Sequence, residues 1–257
     1  MNDKKITIFH ITRKDGTPLF LYPFNKKSNL IELFEKSSIV GLYGDEPRVE
    51  SLTLLRNELY RLVEDSVKEW IAEKKFIPRF LISSAVFLIV YFLMSFIIRD
   101  PLPMVDELVG GIVSAVICYF FLMKRDRDSK KSTEMKIKLR KKVDEIVFNE
   151  DVFTKDVEQY FQYCETSEDI EELFQNILKD KSGCMFDYSD KEKVSELLES
   201  ISLMFNEGDI KKYEKLLYKI NSSESSTSGK NRLIKWLSSR KVDPALFALY
   251  AKITKEK

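Results

Sequence analysis

The sequence predicts a mainly α membrane protein: a two-span transmembrane hairpin with amphipathic stalk helices, a small N-terminal β-hairpin-plus-helix unit and an all-α C-terminal cytoplasmic domain. Three observations carry this. Residues 80–98, FLISSAVFLIVYFLMSFII, run nineteen positions without a charge, which as a helix spans about 28 Å, close to a bilayer's hydrocarbon core. A second apolar run of sixteen residues, LVGGIVSAVICYFFLM, follows after the short RDPLPMVDE and reaches spanning length with Met104 and Val105 included. Finally, the near-neutral balance of 42 basic and 41 acidic side chains hides a segregation along the chain.

Lys74, Lys75 and Arg79 precede the first run, and Lys124, Arg125, Arg127, Lys130 and Lys131 follow the second. The loop between them has Arg99 against Asp100, Asp106 and Glu107. Positive residues flanking both runs on one side place both termini in the cytoplasm, in a multi-pass protein of the cell membrane. No signal peptide is read, so the first run is expected to be an uncleaved anchor. Cys118, Cys164 and Cys184 have no metal or redox spacing and are expected to be free thiols.

Residues 1–48 read as a small ββα unit. Ile6, Ile8, Phe9 and Ile11 form one strand and Leu19–Tyr22 another, with Asp15–Gly16 as the turn and a helix at 29–36. A lone hairpin is marginal in water, so the unit must pack on a partner, expected to be the next helix. That element, 49–75, carries Leu52, Leu55, Leu59, Leu62, Val67 and Ile71 at helical spacing. Pro78 predicts a kink or break where it meets the hairpin (79–123, spans 80–98 and 104–123).

A basic amphipathic helix is predicted over 124–148, with Met135, Leu139, Val143 and Ile146 as its stripe. Pairing the two stripes as a coiled-coil-like stalk buries both. Residues 149–221 read as an α-helical domain, with helices near 154–164, 168–179, 190–205 and 209–221, and Ser189 with Glu192 as a capping box. Residues 222–229, SSESSTSG, read as a linker, and 230–257 as a C-terminal helical pair.

Chemistry-bearing motifs are few. His10, the single histidine, reads as structural, and the phosphate-loop lookalike near Gly229–Lys230 has Glu224 and Asn231 where a glycine and a hydroxyl are needed. No catalytic, cofactor or metal-binding set emerges, and no enzyme activity is expected. Asp100, Asp106 and Glu107 form a candidate acidic cluster at the outer mouth, either interfacial charge or a carboxylate ring around an oligomer axis. Gly110, Gly111, Ser114 and Ala115 are small residues at i, i+4 steps, suited to close helix packing within the chain or between subunits. Lys124, Arg125, Arg127, Lys130 and Lys131 are candidates for anionic lipid of the cytoplasmic leaflet rather than nucleic acid.

The functional expectation is a membrane anchor or adaptor whose cytoplasmic parts recruit or sense a protein partner, with homo-oligomerisation as a further expectation. The alternative is an oligomeric two-span ion channel or pore-forming effector with an acidic outer loop.

Overall fold

The computed structural model describes residues 4–24, 30–97, 105–166, 183–205, 208–212 and 243–256. Expectations for helices at 168–179 and 231–239, the linker 222–229, most of 209–221 and Asp100 lie outside these residues. Over the described residues the protein is mostly helical, with a four-stranded sheet and two helices long and apolar enough to cross a membrane. It divides into two units, one formed by 1–59 with 142–257 and the other by 60–141.

The first unit begins with β1 (Lys4–Thr12) and β2 (Pro18–Leu21), antiparallel, with Phe9 opposite Leu21. Their connection closes through Arg13 and Thr17, and Gly16 takes φ +80°, a conformation that favours glycine. Asp15 fixes the turn by accepting from the Thr17 amide and hydroxyl at 2.8 and 2.6 Å. After α1 (Leu30–Lys36) the chain forms β3 (Ser37–Tyr43), parallel to β1, where the sequence reading placed no strand.

The second correction concerns the basic helix predicted over 124–148. It is two helices, and it stops early. The Asp128–Ser129 turn separates α4 (Val105–Arg127) from α5 (Lys130–Asp144), and residues 147–150 are β4, parallel to β3. The sheet order is β2-β1-β3-β4. Val147 and Phe148 continue the helical apolar stripe in sequence, but a neighbouring strand claims them. Phe148 pairs with Gly41, and its ring occupies the place of a side chain there: a Cβ on Gly41 would stand 2.3 Å from that ring.

The N-terminal strands are covered from both ends of the chain, on one face by the expected next helix, where Leu52, Leu55 and Leu59 meet Phe148 and Glu58 accepts from the Tyr22 hydroxyl at 2.8 Å, and on the other by later helices. Phe9, Ile11, Leu21 and Leu42 lie on one sheet face and share a core with α6 (Val152–Glu165), α7 (Lys191–Met204) and α8 (Pro244–Glu256). The segments at 1–48 and beyond 149 therefore build one unit. The physical reason is that alternation gives β1 two buried faces, Ile6 and Ile8 on one and Phe9 and Ile11 on the other, and the three later amphipathic helices cover the second. Glu196 of α7 also accepts from the Thr7 amide at 3.1 Å, satisfying a strand donor that β2 is too short to reach.

Asp151 caps α6 by accepting from the Thr154 amide and hydroxyl, and it also holds Lys193 at 2.7 Å. The cap of α7 is Asp190, accepting from the Lys193 amide at 3.1 Å, rather than Ser189. Ser189 donates its amide to Asp187 instead.

In the second unit, α2 (Val49–Lys74) ends at a break before α3 (Phe76–Ile97). Pro78 sits in the first turn of α3, where a missing amide costs nothing. Leu62, Val63, Val67 and Leu139 are buried, and Arg140 of α5 pairs with Glu64 and lies 5.2 Å over the Tyr60 ring. In the first unit, Leu52, Leu55 and Leu59 line a small apolar cavity with Val143, Ile146 and Phe148. The stripes of α2 and α5 thus turn inward in both units.

Candidate functional site

The residues singled out by the sequence fall on α3 and α4. Each of these helices is apolar and exposed around most of its circumference, with one narrow inward stripe. On α3 the buried polar positions are Arg79 and Ser83, one turn apart. On α4 the buried positions are Glu107, Gly111, Leu122 and Asp126, which recur at multiples of a turn.

The glycines permit the close approach. A Cβ on Gly111 would lie 2.9 Å from two ring carbons of Phe87 and 3.3 Å from its backbone oxygen, and one on Gly110 would lie 2.5 Å from the Met94 sulfur. Both therefore meet α3 of their own chain. Ser114 and Ala115 continue along α4 half-buried. Closely approaching backbones gain dispersion contacts that a larger residue would prevent.

Two of the three candidate acidic residues, Asp106 and Glu107, are described, and their environments differ. Asp106 is exposed, while its neighbour Glu107, turned through about 100° of helix, is 2 % exposed. Among the described residues the Glu107 Oε1 atom has no hydrogen-bond partner. Both lie in the first turn of α4, where carboxylates favour the positive end of the helix dipole.

At the opposite end of the same helices stands a feature that sequence reasoning missed. The Arg79 Nε donates to the Asp126 carboxylate at 2.8 Å, and both side chains are nearly enclosed, at 4 % and 13 % exposure. Sequence reading counted Arg79 among the flanking positive charges and did not single out Asp126. The available signal was register: Asp126 is one turn from Leu122 and Arg79 one turn from Ser83, so both fall on the inward stripe. With Asp126 turned inward, Lys124, Arg125 and Arg127 point outward, and Lys130 and Lys131 open α5, also exposed.

Further titratable groups lie in the first unit. His10 packs its ring 5.0 Å from Phe20, and its Nδ1 has no partner among the described residues. Burial lowers its pKa, opposed by a hydrogen bond to the Asp45 backbone and by the Asp45 charge. Glu158 accepts from the Thr12 and Asp45 amides at 2.6 and 2.8 Å, tying the ends of β1 and β3 together. Burial raises its pKa, while those hydrogen bonds act the other way.

Arg13 binds Glu165 at 3.0 Å and Asp243 at 2.6 Å while lying over the Phe161 ring, joining the hairpin to α6 and the start of α8. Cys164 is buried, which pushes its thiol up to about 12, the protonated and unreactive form at neutral pH. Among the described residues no cysteine forms a disulfide, and no group of three or more His, Cys, Asp or Glu could hold a metal ion. An open cavity near the end of α1 is lined by Glu35, Ser37, Lys142 and Glu145, but Lys142 is already held by the Phe34 and Ser37 carbonyls.

The chain matches no protein-family model, no curated protein and no solved structure.

Proposed function

We propose that this protein is a membrane-anchored adaptor: α3 and α4 cross the membrane as a hairpin, and the first unit binds a protein partner at the cytoplasmic face. The observation that carries this reading is the way the sheet is built. β3 precedes the hairpin, β4 follows it, and the two pair in parallel with Gly41 against Phe148. A strand pair cannot form across a bilayer, so if the hairpin spans a membrane, both its flanks lie on one side. The Lys/Arg bias then names that side as the cytoplasm. Outward apolar side chains along α3 and α4, such as Leu88, Ile89, Phe92, Ile117 and Phe120, suit contact with lipid.

For the partner, the first unit offers Met185 and Val152, which are 88 % and 75 % exposed. They are the sequence neighbours of Phe186 and Phe153, whose rings meet at 6.2 Å, so both sit beside a well-packed point of the core. Rigid support under exposed apolar side chains is what a docking spot needs. The pore alternative is the weaker one, because Glu107 is buried rather than exposed on an outer rim and the outward surfaces of both helices are apolar.

Two measurements test the reading. An impermeant thiol reagent applied to intact cells is expected to reach a Cys placed at Pro103 and to miss Cys184; labelling of Cys184 from outside would reverse the orientation. A photo-crosslinking residue at Met185, in intact cells, is expected to give one discrete adduct that Val152→Glu removes. Absence of any adduct, with the protein correctly inserted, counts against the adaptor role.

A further inference from the structure

On the membrane reading above, we propose that the charged end of the hairpin is a binding collar for anionic lipid headgroups. The Arg79–Asp126 pair at 2.8 Å brings the start of α3 beside the end of α4, so cations far apart in sequence form one rim. Lys75, one turn before Arg79, and Lys124, Arg125 and Arg127 around Asp126 are all exposed, and none has an ion-pair partner among the described residues. Lys131 is exposed and free in the same sense; Lys130 is exposed and 3.9 Å from Glu134.

The pairing also strengthens the local positive field. Read as sequence, KRDRD alternates and nearly cancels. In the structure Asp126 is spent inside on Arg79, and Asp128 alone of the acids in 124–131 remains exposed. What faces outward is therefore strongly cationic.

The occupant is argued from what adjoins the rim. Phe76, Ile77 and Phe80, all more than half exposed, follow directly after Lys75, and Phe76 and Phe80 stack at 6.3 Å. Lys74 lies 5.0 Å over the Trp70 ring. Cations, then aromatic rings, then long apolar helices reproduce the order of a leaflet from headgroup to acyl chain. A nucleic acid would need the cations on a surface free of adjoining lipid-facing residues, and here the two are continuous. Each Lys or Arg close to an anionic surface contributes roughly fivefold to binding, falling off within a Debye length.

The test uses the full chain in detergent micelles, so that membrane orientation plays no part. Native mass spectrometry would score retention of phosphatidylglycerol against phosphatidylcholine for the wild type and for a variant with Lys124, Arg125, Arg127, Lys130 and Lys131 all changed to Gln. The wild type is expected to prefer phosphatidylglycerol by about tenfold or more, and the variant to lose most of that preference. A second variant with Arg125→Lys and Arg127→Lys is expected to keep it, which separates charge from fold.

Equal retention of the two lipids by the wild type, or an unchanged preference in the five-site variant, overturns the proposal. Displacement of bound phosphatidylglycerol by a duplex oligonucleotide at equal concentration overturns it in favour of nucleic acid. Alkaline extraction of membranes separates the two levels: release of the wild type sinks the membrane reading, whereas retention without lipid preference sinks only the collar.

Discussion

Removing one partner of the Arg79–Asp126 pair should be the most damaging single polar change in the hairpin. The pair is at 2.8 Å with side chains 4 % and 13 % exposed, so neither charge is well hydrated. Deleting Asp126 as Asp126→Ala leaves the guanidinium enclosed and uncompensated, and losses of this kind cost about 3–5 kcal/mol. Replacing both, as Arg79→Met with Asp126→Leu, removes the unpaired charge and should recover most of that loss, since well-packed apolar pairs replace buried ion pairs at little cost. The assay is thermal or denaturant unfolding of the purified chain in a fixed detergent, arranged as a double-mutant cycle. A coupling energy below about 0.5 kcal/mol, or an Asp126→Ala variant as stable as the wild type, would refute the enclosure and with it the shared orientation of 75–79 and 124–127.

Three further outcomes follow from packing and charge. Gly111→Ala should cost about 1–3 kcal/mol, because the new Cβ meets both the Phe87 ring and its backbone oxygen, whereas Gly110→Ala meets only the flexible end of Met94 and should cost less; hairpin melting temperatures check the ranking. Leu139→Asp places a charge at a fully buried position and should cost several kcal/mol, with Ile137→Asp, at an exposed site on the same helix, as the harmless control. His10 has a pKa below its ordinary 6.5, so the folded state binds the proton less well than the unfolded chain. Stability should be complete above pH 6.5 and fall as pH drops through that value, and His10→Gln should flatten the slope; a wild-type profile already flat from pH 7.5 to 5 would contradict this.

Legibility followed the strength of local pattern. The spans expected at 80–98 and 104–123 emerge as α3 from Phe76 to Ile97 and α4 from Val105 to Arg127, because a long uncharged run has few alternative readings. The helix expected at 49–75 runs from Val49 to Lys74 for the same reason, a sustained apolar stripe. The strands β3 and β4 stayed hidden. SSIVGLY follows α1 with no intervening loop, and VFNE is four residues long at the tail of a helical stripe. Their pairing is non-local: Val40 meets Val147 more than a hundred positions later, which no window of the sequence can register.

The same limit applied at the candidate site. Small residues at Gly110 and Gly111 were readable as a packing face, because absence of a side chain is a local property. Which charges pointed inward was not. Counting Arg79 and Asp126 as net charge assumes every charge faces solvent, and that assumption failed at both ends of the hairpin, with Glu107 as the second case.

The insertion of the hairpin between β3 and β4 bears on how the first unit can form at all. Closing a flexible loop of about a hundred residues to pair Val40 with Val147 costs on the order of 4 kcal/mol in chain entropy, before any strand contact compensates. Parallel strands always need such a crossover, and here α2 to α5 supply it. A hairpin that has already closed, with Arg79 held to Asp126 across 47 residues, takes somewhat under half of that loop out and lowers the closure cost by about 0.5 kcal/mol. The core contributed by α6, α7 and α8 lies wholly beyond β4 in sequence. Until β4 and the helices beyond it are made, the Phe9, Ile11 and Leu21 face of the sheet lacks its cover.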